Sequence, residues 1–328
     1  MILAGDIGGT NSRLAFFTVE NGRLKPEIEH VYPSREHSGL EMVVRKFVSE
    51  YKLSVGHACF GIAGPVSHGR SHMPNLKWTV ESSVLAAELG LQEVALINDL
   101  EANAYGVAEL EEKDFAIINA GAPASDGNAA VISAGTGLGE AGLFWDGRVH
   151  RPFACEGGHV DFGPADELQD EMLRYMRAQF GHVSWERVLS GPAIFNIYKF
   201  LRETGHGDEP AWLTEELKEG DASSHISAHG LDGKSALCVK TLELFVSIYG
   251  SEAGNLALKL MATGGVYLGG GIAPRIISKM TKPAFMGPFA NKGRLKEMLE
   301  AITVKVILND KTALLGAGRC AALKGSLL

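Results

Sequence analysis

Residues 2–19, ILAGDIGGTNSRLAFFTV, and residues 129–145, AAVISAGTGLGEAGLFW, decide the fold. In each stretch a short apolar run leads into a glycine-rich turn and a second apolar run follows, which predicts two strands joined as a hairpin. The pairs Gly9-Thr10 and Gly135-Thr136 occupy the same place in the two stretches, and the second runs lead to the similar triplets 21–23 and 146–148. This similarity predicts that the chain consists of two related halves.

The remaining segments alternate between helical and strand-like patterns, which predicts an α/β protein. Helices are predicted over 40–51, from an N-cap at Thr79 to Gly90, from Asp99 onward, and over 167–180, 192–203, 235–262, 292–301 and 312–323. Strands are predicted over 57–63, 94–98, 266–268 and 303–308. We expect the last helix to pack on the first half and residues 205–227 to be a flexible insertion.

Composition bounds the class of protein. The 328 residues suffice for about two domains, and 45% hydrophobic with 21% charged residues is typical of a folded chain. The net charge of −8 argues against a nucleic-acid partner, because such proteins display a basic face. The four cysteines form no CxxC pair, and the chain shows neither a signal-peptide pattern nor a long apolar stretch. We therefore expect a cytoplasmic protein with free thiols and no membrane span.

Glycine is unusually frequent, with 40 residues, against a usual share of about 7%. Two generic nucleotide motifs among these glycines are rejected by their context. Gly137–Gly142 fits G-x-G-x-x-G, but a strand-like run follows it where the dinucleotide fold needs a helix. Ala228–Ser235 is close to a P-loop, but polar residues 223–227 precede it where a buried strand is required.

The two glycine turns have the chemistry of phosphate sites. Successive backbone N–H groups in such turns can converge on an anion, and the lack of side chains lets phosphate oxygens come close. Thr10 and Thr136 add hydroxyl donors, and Asp6 offers a carboxylate to a magnesium-bound water. A single turn of this kind could be an ordinary β-turn; two at equivalent places favour a ligand.

Seven stretches occur in the order in which a known family carries them, and they span nearly the whole chain. They are Gly5–Asn11 (GDIGGTN), Gly61–Pro65 (GIAGP), Ile97–Ala102 (INDLEA), Ala134–Gly139 (AGTGLG), Glu156–Phe162 (EGGHVDF), Ser184–Gly191 (SWERVLSG) and Leu268–Ala273 (LGGGIA). Together they resemble the bacterial-type glucokinases, the zinc-free group within the actin-like sugar kinase superfamily.

The resemblance implies an α/β fold of two actin-like ATPase domains, a ribonuclease H-like duplication with an interdomain cleft. We expect a small α/β domain of residues 1–109 plus 311–328 and a large α/β domain of residues 110–310. The implied activity is transfer of phosphate from ATP to the C6 hydroxyl of glucose, giving glucose 6-phosphate at the entry to glycolysis. The family also implies a homodimer.

Asp99 is the candidate general base. It follows an apolar strand and stands at a predicted helix start, where the helix dipole and free N–H groups favour its ionised form. Phosphoryl transfer needs positioning, charge neutralisation and a carboxylate that takes the hydroxyl proton. The alternative is that Asn98 or Asp99 merely caps the helix; the resemblance favours sugar binding and the base role.

The sugar needs a ring of polar groups, because each hydroxyl left unpaired in a closed site costs about 1–3 kcal/mol. By resemblance the ring consists of Asn98, Asp99, Glu156, His159 and Glu186, with Gly157 letting the backbone approach the sugar and Asn75 as a weaker candidate. Glu186 could instead be a solvated residue in the first turn of a helix.

ATP and Mg²⁺ are the implied cofactors. The candidate ATP-binding residues are Gly5, Asp6, Ile7, Gly8, Gly9, Thr10 and Asn11 in the first turn, Gly135, Thr136 and Gly137 in the second, and Gly269, Gly270 and Gly271 after a later strand. Asp6 is expected to hold Mg²⁺ through water. The last three glycines could also form an ordinary strand-to-helix loop.

His150, Cys155 and His159 are zinc-type residues within ten positions. The related repressor and kinase group carries a cysteine-rich zinc motif just after the equivalent histidine, whereas Val160–Pro164 holds no cysteine here. This departure favours the zinc-free group.

Three other functions stay open. The first is a kinase for mannose, fructose or an N-acetylhexosamine. The second is a sugar-sensing regulator, which would usually add a DNA-binding segment before the first strand, whereas this chain enters that strand at Ile2. The third is a nucleotide-switching ATPase, which is disfavoured by the candidate sugar residues.

Overall fold

The computed structural model describes residues 1–52, 54–122 and 126–328. The chain forms two compact units. The first contains Met1–Asp114, Arg151–Ala154 and Asn309–Leu328, and the second contains Phe115–His150 and Cys155–Leu308. The division into domains of residues 1–109 plus 311–328 and 110–310 stays a prediction about which parts of the chain fold independently.

In the part of the chain that the structure describes, the strands fall into three sheets. In chain order they are β1 Ile2–Ile7, β2 Asn11–Glu20, β3 Arg23–Pro33, β4 His57–Ile62, β5 Val66–Ser67, β6 Arg70–Met73, β7 Trp78–Glu81, β8 Ala95–Asn98, β9 Phe115–Asn119, β10 Ala129–Ala134, β11 Leu138–Trp145, β12 His150–Cys155, β13 Gly265–Gly269 and β14 Val304–Ile307.

The helices vary widely in length. In chain order they are α1 Leu40–Tyr51, α2 Ser82–Leu89, α3 Asp99–Gly106, α4 Glu167–Phe180, α5 Trp185–Val188, α6 Gly191–Glu203, α7 Ala211–Glu216, α8 Ala222–Leu231, α9 Ala236–Leu260, α10 Gly287–Ala290, α11 Lys296–Glu300 and α12 Thr312–Lys324.

The first unit is built on a sheet in the order β3-β2-β1-β4-β8. β1 pairs antiparallel with β2 and parallel with β4. Because side chains alternate along a strand, Leu3 and Ile7 join the apolar core on one face, while Ile2 and Ala4 join the core on the other. Both faces of β1 are therefore buried, and the turn after Ile7 is fixed by two layers of packing.

Helix α3 packs tightly against α12, as expected for a last helix that returns to the first half. A Cβ at Gly316 of α12 would lie 1.7 Å from the Ala102 carbonyl oxygen of α3. Only a residue without a side chain allows this approach. The position of α3, which begins at Asp99, thus depends on glycine in α12.

The second unit repeats this strand arrangement. β10 pairs antiparallel with β11 and parallel with β13, as β1 does with β2 and β4. β13 continues in parallel to β14, which pairs antiparallel with β9. The predicted repeat is confirmed in strand topology, and both Gly-Thr pairs lie in the turns between the paired strands.

The second unit adds a large helical layer around α9. This 25-residue helix begins after Ser235, whose hydroxyl caps the Cys238 amide, and ends at Met261 in the left-handed conformation. Its buried residues join one apolar core with side chains from α4, α6, β10 and β13. This core supports the second glycine turn from below β10.

Several predictions at element level were wrong. Thr79 does not cap a helix: residues 78–81 form β7, in which buried Trp78 and Val80 alternate with exposed Thr79, and the helix begins at Ser82. Residues 205–227, predicted as a flexible insertion, contain α7 and the first half of α8. The predicted helix 292–301 is shorter, and β3, β9 and the β5-β6-β7 sheet were missed.

Within the described residues, none of the helices combines the length and the apolar composition that a membrane crossing requires.

Candidate functional site

The first glycine turn joins β1 to β2 and is held by short hydrogen bonds. The Gly8 amide donates to the Asn11 carbonyl at 2.9 Å, and the Ser34 hydroxyl donates to the Gly8 carbonyl at 2.8 Å. The Ser34 amide donates to the Thr10 carbonyl at 2.8 Å. Thr10 and Asn11 are exposed at the tip. A fixed turn with an exposed hydroxyl is suited to binding an anion.

Asp6 is the acidic group beside this turn and is half-buried. Burial raises the pKa of the Asp6 carboxyl, although the charge of Arg13 lowers it, and the nearby charge of Asp310 raises it further. Arg13 is shared, because its Nη2 lies 3.2 Å from Asp310 Oδ2. A carboxylate that is costly to ionise here gains from a bound cation, and Mg²⁺ prefers oxygen ligands. These residues fit the predicted magnesium site.

Gly5 and Ile7, predicted to bind ATP, are explained by packing, and Asn75, predicted as a weaker sugar ligand, lies near this turn. Gly5 is buried within β1, and a Cβ there would lie 2.5 Å from Phe60 Cδ1, so packing requires this glycine. The side chain of Ile7 is buried in the core, which leaves only its backbone for a ligand. Asn75 is exposed near the turn, with its Cβ 4.0 Å from where Gly9 would place one.

Asn98 and Asp99 stand where β8 meets α3. Asn98 Oδ1 accepts a hydrogen bond from the Leu100 amide at 2.7 Å, and its Nδ2 donates to the Gly64 carbonyl at 3.1 Å. Asp99 Oδ1 also accepts from the Leu100 amide, at 2.9 Å. Asn98 is therefore the N-cap, as one interpretation predicted, and the cap fixes both half-buried side chains at the positive end of the helix.

The second glycine turn joins β10 to β11 and is braced by helices. The Gly191 amide, at the start of α6, donates to the Gly135 carbonyl at 2.7 Å. Glu186 Oε2 in α5 accepts from the Leu138 amide at 3.0 Å, and a Cβ at Gly137 would lie 2.5 Å from that oxygen. The structure therefore ties Glu186 to the turn predicted to hold phosphate, through one of its two oxygens.

Glu156 and His159 lie together at a 3₁₀ turn over Gly157–His159, with Glu156 Oε2 4.0 Å from His159 Nε2. Both side chains are exposed. Gly157 was predicted to let the backbone approach a sugar, but its absent side chain makes room for Glu140: a Cβ at Gly157 would lie 1.9 Å from Glu140 Oε2. The close approach is to the protein's own carboxyl group.

Glu140 is a buried carboxyl group that was not predicted from the sequence. Burial and the nearby charge of Glu252 raise the pKa of Glu140 to about 8, while Lys259 lowers it. Glu252 is itself buried, with Oε1 3.1 Å from Lys259 Nζ. The available signal was a charged residue in the apolar run 138–145.

A cavity of about 900 Å³ opens beside the second turn. Its lining includes Gly135 and Thr136 of the turn, Ile194, Phe195 and Asn196 of α6, Ser223, Ser224, Ser227 and Leu231 of α8, and Gly271, Ile272 and Arg275. Apolar walls with a few polar groups, at this volume, are typical of a small-molecule site. The α6 and α8 walls were not predicted.

Of the three glycines predicted after β13, Gly271 lines the cavity. Gly270 has φ +80°, and a Cβ there would lie 2.2 Å from the Ala134 carbonyl oxygen, so the turn itself requires it. Gly269 belongs to the buried strand β13.

Comparison with known proteins gives a full-length match. The glucokinase family model matches residues 3–324. The glucokinase of Synechocystis sp. (strain ATCC 27184 / PCC 6803 / Kazusa) is 39% identical, over 98% of this chain and 97% of that protein. This chain belongs to the glucokinase family. A solved glucokinase from an Antarctic psychrotroph superposes on this glucokinase-family chain with a TM-score of 0.88 and 31% identity, over 98% of both chains.

The fold of the glucokinase family is shared more widely. The ROK family glucokinase from Streptomyces griseus, solved in complex with glucose and AMPPNP, has a TM-score of 0.64 at 20% identity, over 98% of this chain and 99% of that one. At this identity the likeness shows the fold alone. The prediction of an α/β actin-like ATPase fold is confirmed.

In this glucokinase-family chain the zinc-type residues near position 155 have other partners. His150 Nε2 lies 3.0 Å from the Gly127 carbonyl, and the Cys155 thiol donates to the Glu140 carbonyl at 3.4 Å. His159 faces Glu156. Among the residues that the structure describes, His150, Cys155 and His159 do not form a potential metal-binding group.

Proposed function

We propose that this member of the glucokinase family transfers the γ-phosphoryl group of ATP to the C6 hydroxyl of glucose. The observation that carries the proposal is the placement of Asp99, a half-buried carboxylate at the first turn of α3, beside the capping residue Asn98. The family match and the glycine turn beside a nucleotide-sized cavity support it.

Asp99 acts as the general base. The N-terminus of α3 favours its charged form, and a charged carboxylate can accept the hydroxyl proton as the O–P bond forms. Because Oδ1 accepts from the Leu100 amide at 2.9 Å, the orientation of the carboxylate is fixed before glucose arrives.

From the family resemblance, the residues proposed to bind glucose are Asn98, Asp99, Glu156 and His159. Glu156 and His159 are exposed and 4.0 Å apart, so neighbouring sugar hydroxyls could bond to both. Glu186 Oε2 accepts a hydrogen bond from the Leu138 amide, so Oε1 is the oxygen proposed to bind the sugar.

ATP is bound through the two glycine turns. In the second unit the adenosine occupies the cavity along Phe195, Gly271 and Ile272, and the phosphates lie at Gly135 and Thr136. Thr10 of the first turn donates a hydroxyl group. Mg²⁺, held through water by Asp6, would neutralise charge on the phosphates. We also propose, from the family resemblance, a cytoplasmic homodimer; sedimentation showing only a monomer would refute the dimer.

The test compares Asp99→Asn with Asp208→Asn, a matched change at an exposed aspartate. Asp99→Asn should retain glucose binding by calorimetry and lose turnover by about 10²- to 10⁴-fold, the usual contribution of a general base. Asp208→Asn should match the wild type. Near-normal turnover of Asp99→Asn contradicts the base assignment.

An assay coupled to ADP release, over glucose, mannose, fructose, N-acetylglucosamine and no sugar, tests the substrate. Glucose should give the highest kcat/KM. Comparable turnover without sugar would instead favour a nucleotide-switching ATPase, and a preference for another sugar would reassign the substrate.

A further inference from the structure

Three side chains converge between α7 and α8, and none of the three has a role in the proposed reaction. Glu216 ends α7, and His225 and His229 lie four residues apart on α8, on one face of that helix. His225 Nδ1 and His229 Nε2 each lie 2.9 Å from the same atom, Glu216 Oε1. One carboxylate oxygen thus has two imidazole nitrogens directed at it.

The hydrogen bonds of His225 indicate that a proton or a cation lies between its Nδ1 and Glu216 Oε1. His225 Nε2 lies 3.0 Å from the Glu219 carbonyl, which can only accept, so Nε2 carries the hydrogen. In the neutral ring Nδ1 is then an acceptor, and it faces a carboxylate oxygen, which is also an acceptor. Either a second proton or a cation must lie between them.

The arrangement at His225 is one found around bound metals. Histidine ligands usually donate their other ring N–H to a backbone carbonyl or carboxylate, which fixes the tautomer. The Glu219 carbonyl plays that part for His225. His229 is buried, and its Nδ1 has no hydrogen-bond partner among the described residues, while the Trp212 ring packs edge-on at 5.0 Å. The buried ring is therefore held with Nε2 directed at Glu216.

We propose that Glu216, His225 and His229 bind a divalent transition-metal ion of the Zn²⁺ class. Two imidazole nitrogens and one carboxylate are a common zinc set, with a water as fourth ligand. Ligands about 2.1 Å from one ion are roughly 3.0–3.4 Å apart, so the 2.9 Å separations need to open by only a few tenths of an ångström. The three ligand atoms all lie within 4.8 Å of one another.

The ion would join two helices beside the cavity. Ser224, Ser227 and Leu231 of α8 line the cavity, while His225 and His229 of the same helix face Glu216. Binding would fix α8 to the end of α7 and hold the cavity wall in place. The site is structural, and its occupancy can be measured without ATP or glucose.

The experiment uses the tag-free, full-length protein after treatment with EDTA. Zn²⁺ is titrated by calorimetry, and Co²⁺ is titrated by visible absorption, which reports its coordination. The variants are His225→Gln and Glu216→Gln, both at partly exposed positions. The matched control is His206→Gln. His206 Nε2 lies 2.8 Å from Glu171 Oε2, but among the described residues this pair has no third potential metal ligand beside it.

We expect one Zn²⁺ per chain in the wild type and in His206→Gln, with a higher melting temperature when Zn²⁺ is present. Affinity should fall at least tenfold in His225→Gln and Glu216→Gln, and the Zn²⁺-dependent rise in melting temperature should disappear. Equal affinity in all four proteins, or no binding by the wild type, overturns the proposal. Circular dichroism checks that each variant is folded. Because Zn²⁺ binding is measured without ATP or glucose, the outcome of the kinase assay does not affect this result.

Discussion

Two glycines leave room for carboxyl groups of the chain itself. A Cβ at Gly137 would lie 2.5 Å from Glu186, and one at Gly157 would lie 1.9 Å from Glu140. Glu186 holds the second glycine turn by accepting from the Leu138 amide, and Glu140 packs against Gly157 of the Glu156–His159 turn. A substitution at either glycine would therefore move a carboxyl group as well as any bound ligand.

Gly135 gives a cleaner test of nucleotide binding. It lines the cavity, and a Cβ there would meet no atom within 4 Å. Gly135→Ala should fold normally and raise KM for ATP several-fold with glucose affinity unchanged, because the methyl group occupies space proposed for phosphate. Initial-rate kinetics measure this, with Gly287→Ala, another open glycine, as control. An unchanged KM for ATP would place the phosphates elsewhere.

Glu140 predicts a pH dependence of stability. Its pKa is raised to about 8 in the folded chain, against about 4.3 for an unperturbed glutamate. The stability it contributes is fully present below the unfolded value and is lost as pH rises through about 8, because the unfolded chain ionises first.

We expect the urea midpoint of the wild type to fall from pH 6 to pH 9, and to fall less in Glu140→Gln, which stays neutral. Glu243→Gln, at an exposed position of α9, should behave like the wild type. Equal pH dependence in all three proteins would show that Glu140 ionises normally.

At the level of elements, the contact between α3 and α12 controls the candidate base. Gly316→Ala places a methyl group 1.7 Å from the Ala102 carbonyl oxygen. Alanine would otherwise favour a helix by about 1 kcal/mol, so a loss of stability reports the contact. We expect a lower melting temperature and reduced kcat, since α3 carries Asp99. A more stable variant would show that the helices can separate without loss.

Elements with a strong pattern of their own could be predicted from sequence. Helix α1 buries Leu40, Val43, Val44 and Phe47 at helical spacing, and its bounds agree with the prediction. β3 and β7 could not be predicted in this way, because their conformation depends on pairing with the neighbouring strands β2 and β6. β7 was mistaken for a helix start, since four residues are too few for their alternation to stand out.

The candidate site divides in the same way. The Gly-Thr turns and the Asn98-Asp99 pair are local motifs, and the structure places them in turns and at a helix start. The cavity walls could not be predicted, because Phe195, Ser227 and Ile272 meet only through packing of distant segments. The contacts that require glycine at 137 and 157 could not be predicted either, because Glu186 and Glu140 reach these positions only through the packing of distant segments.

For the whole molecule, the repeated strand order explains the repeated glycine turns. Each unit carries a hairpin whose first strand also has a parallel neighbour, β4 in one and β13 in the other. In both units the turn follows a strand that is buried on both faces. The excess of glycine is thus divided between turns that could face a ligand and positions where the chain packs on itself.

The outer strand β3 affects how chains behave in concentrated solution. It forms one edge of the first sheet, pairs only with β2 in that sheet, and carries Arg23, Lys25, Glu27 and Glu29. Pro26 has no N–H to offer an incoming strand, and the register shifts near it, between Phe16 and Phe17 of β2. These features oppose edge-to-edge pairing of two chains through β3 and so protect against fibrous aggregation.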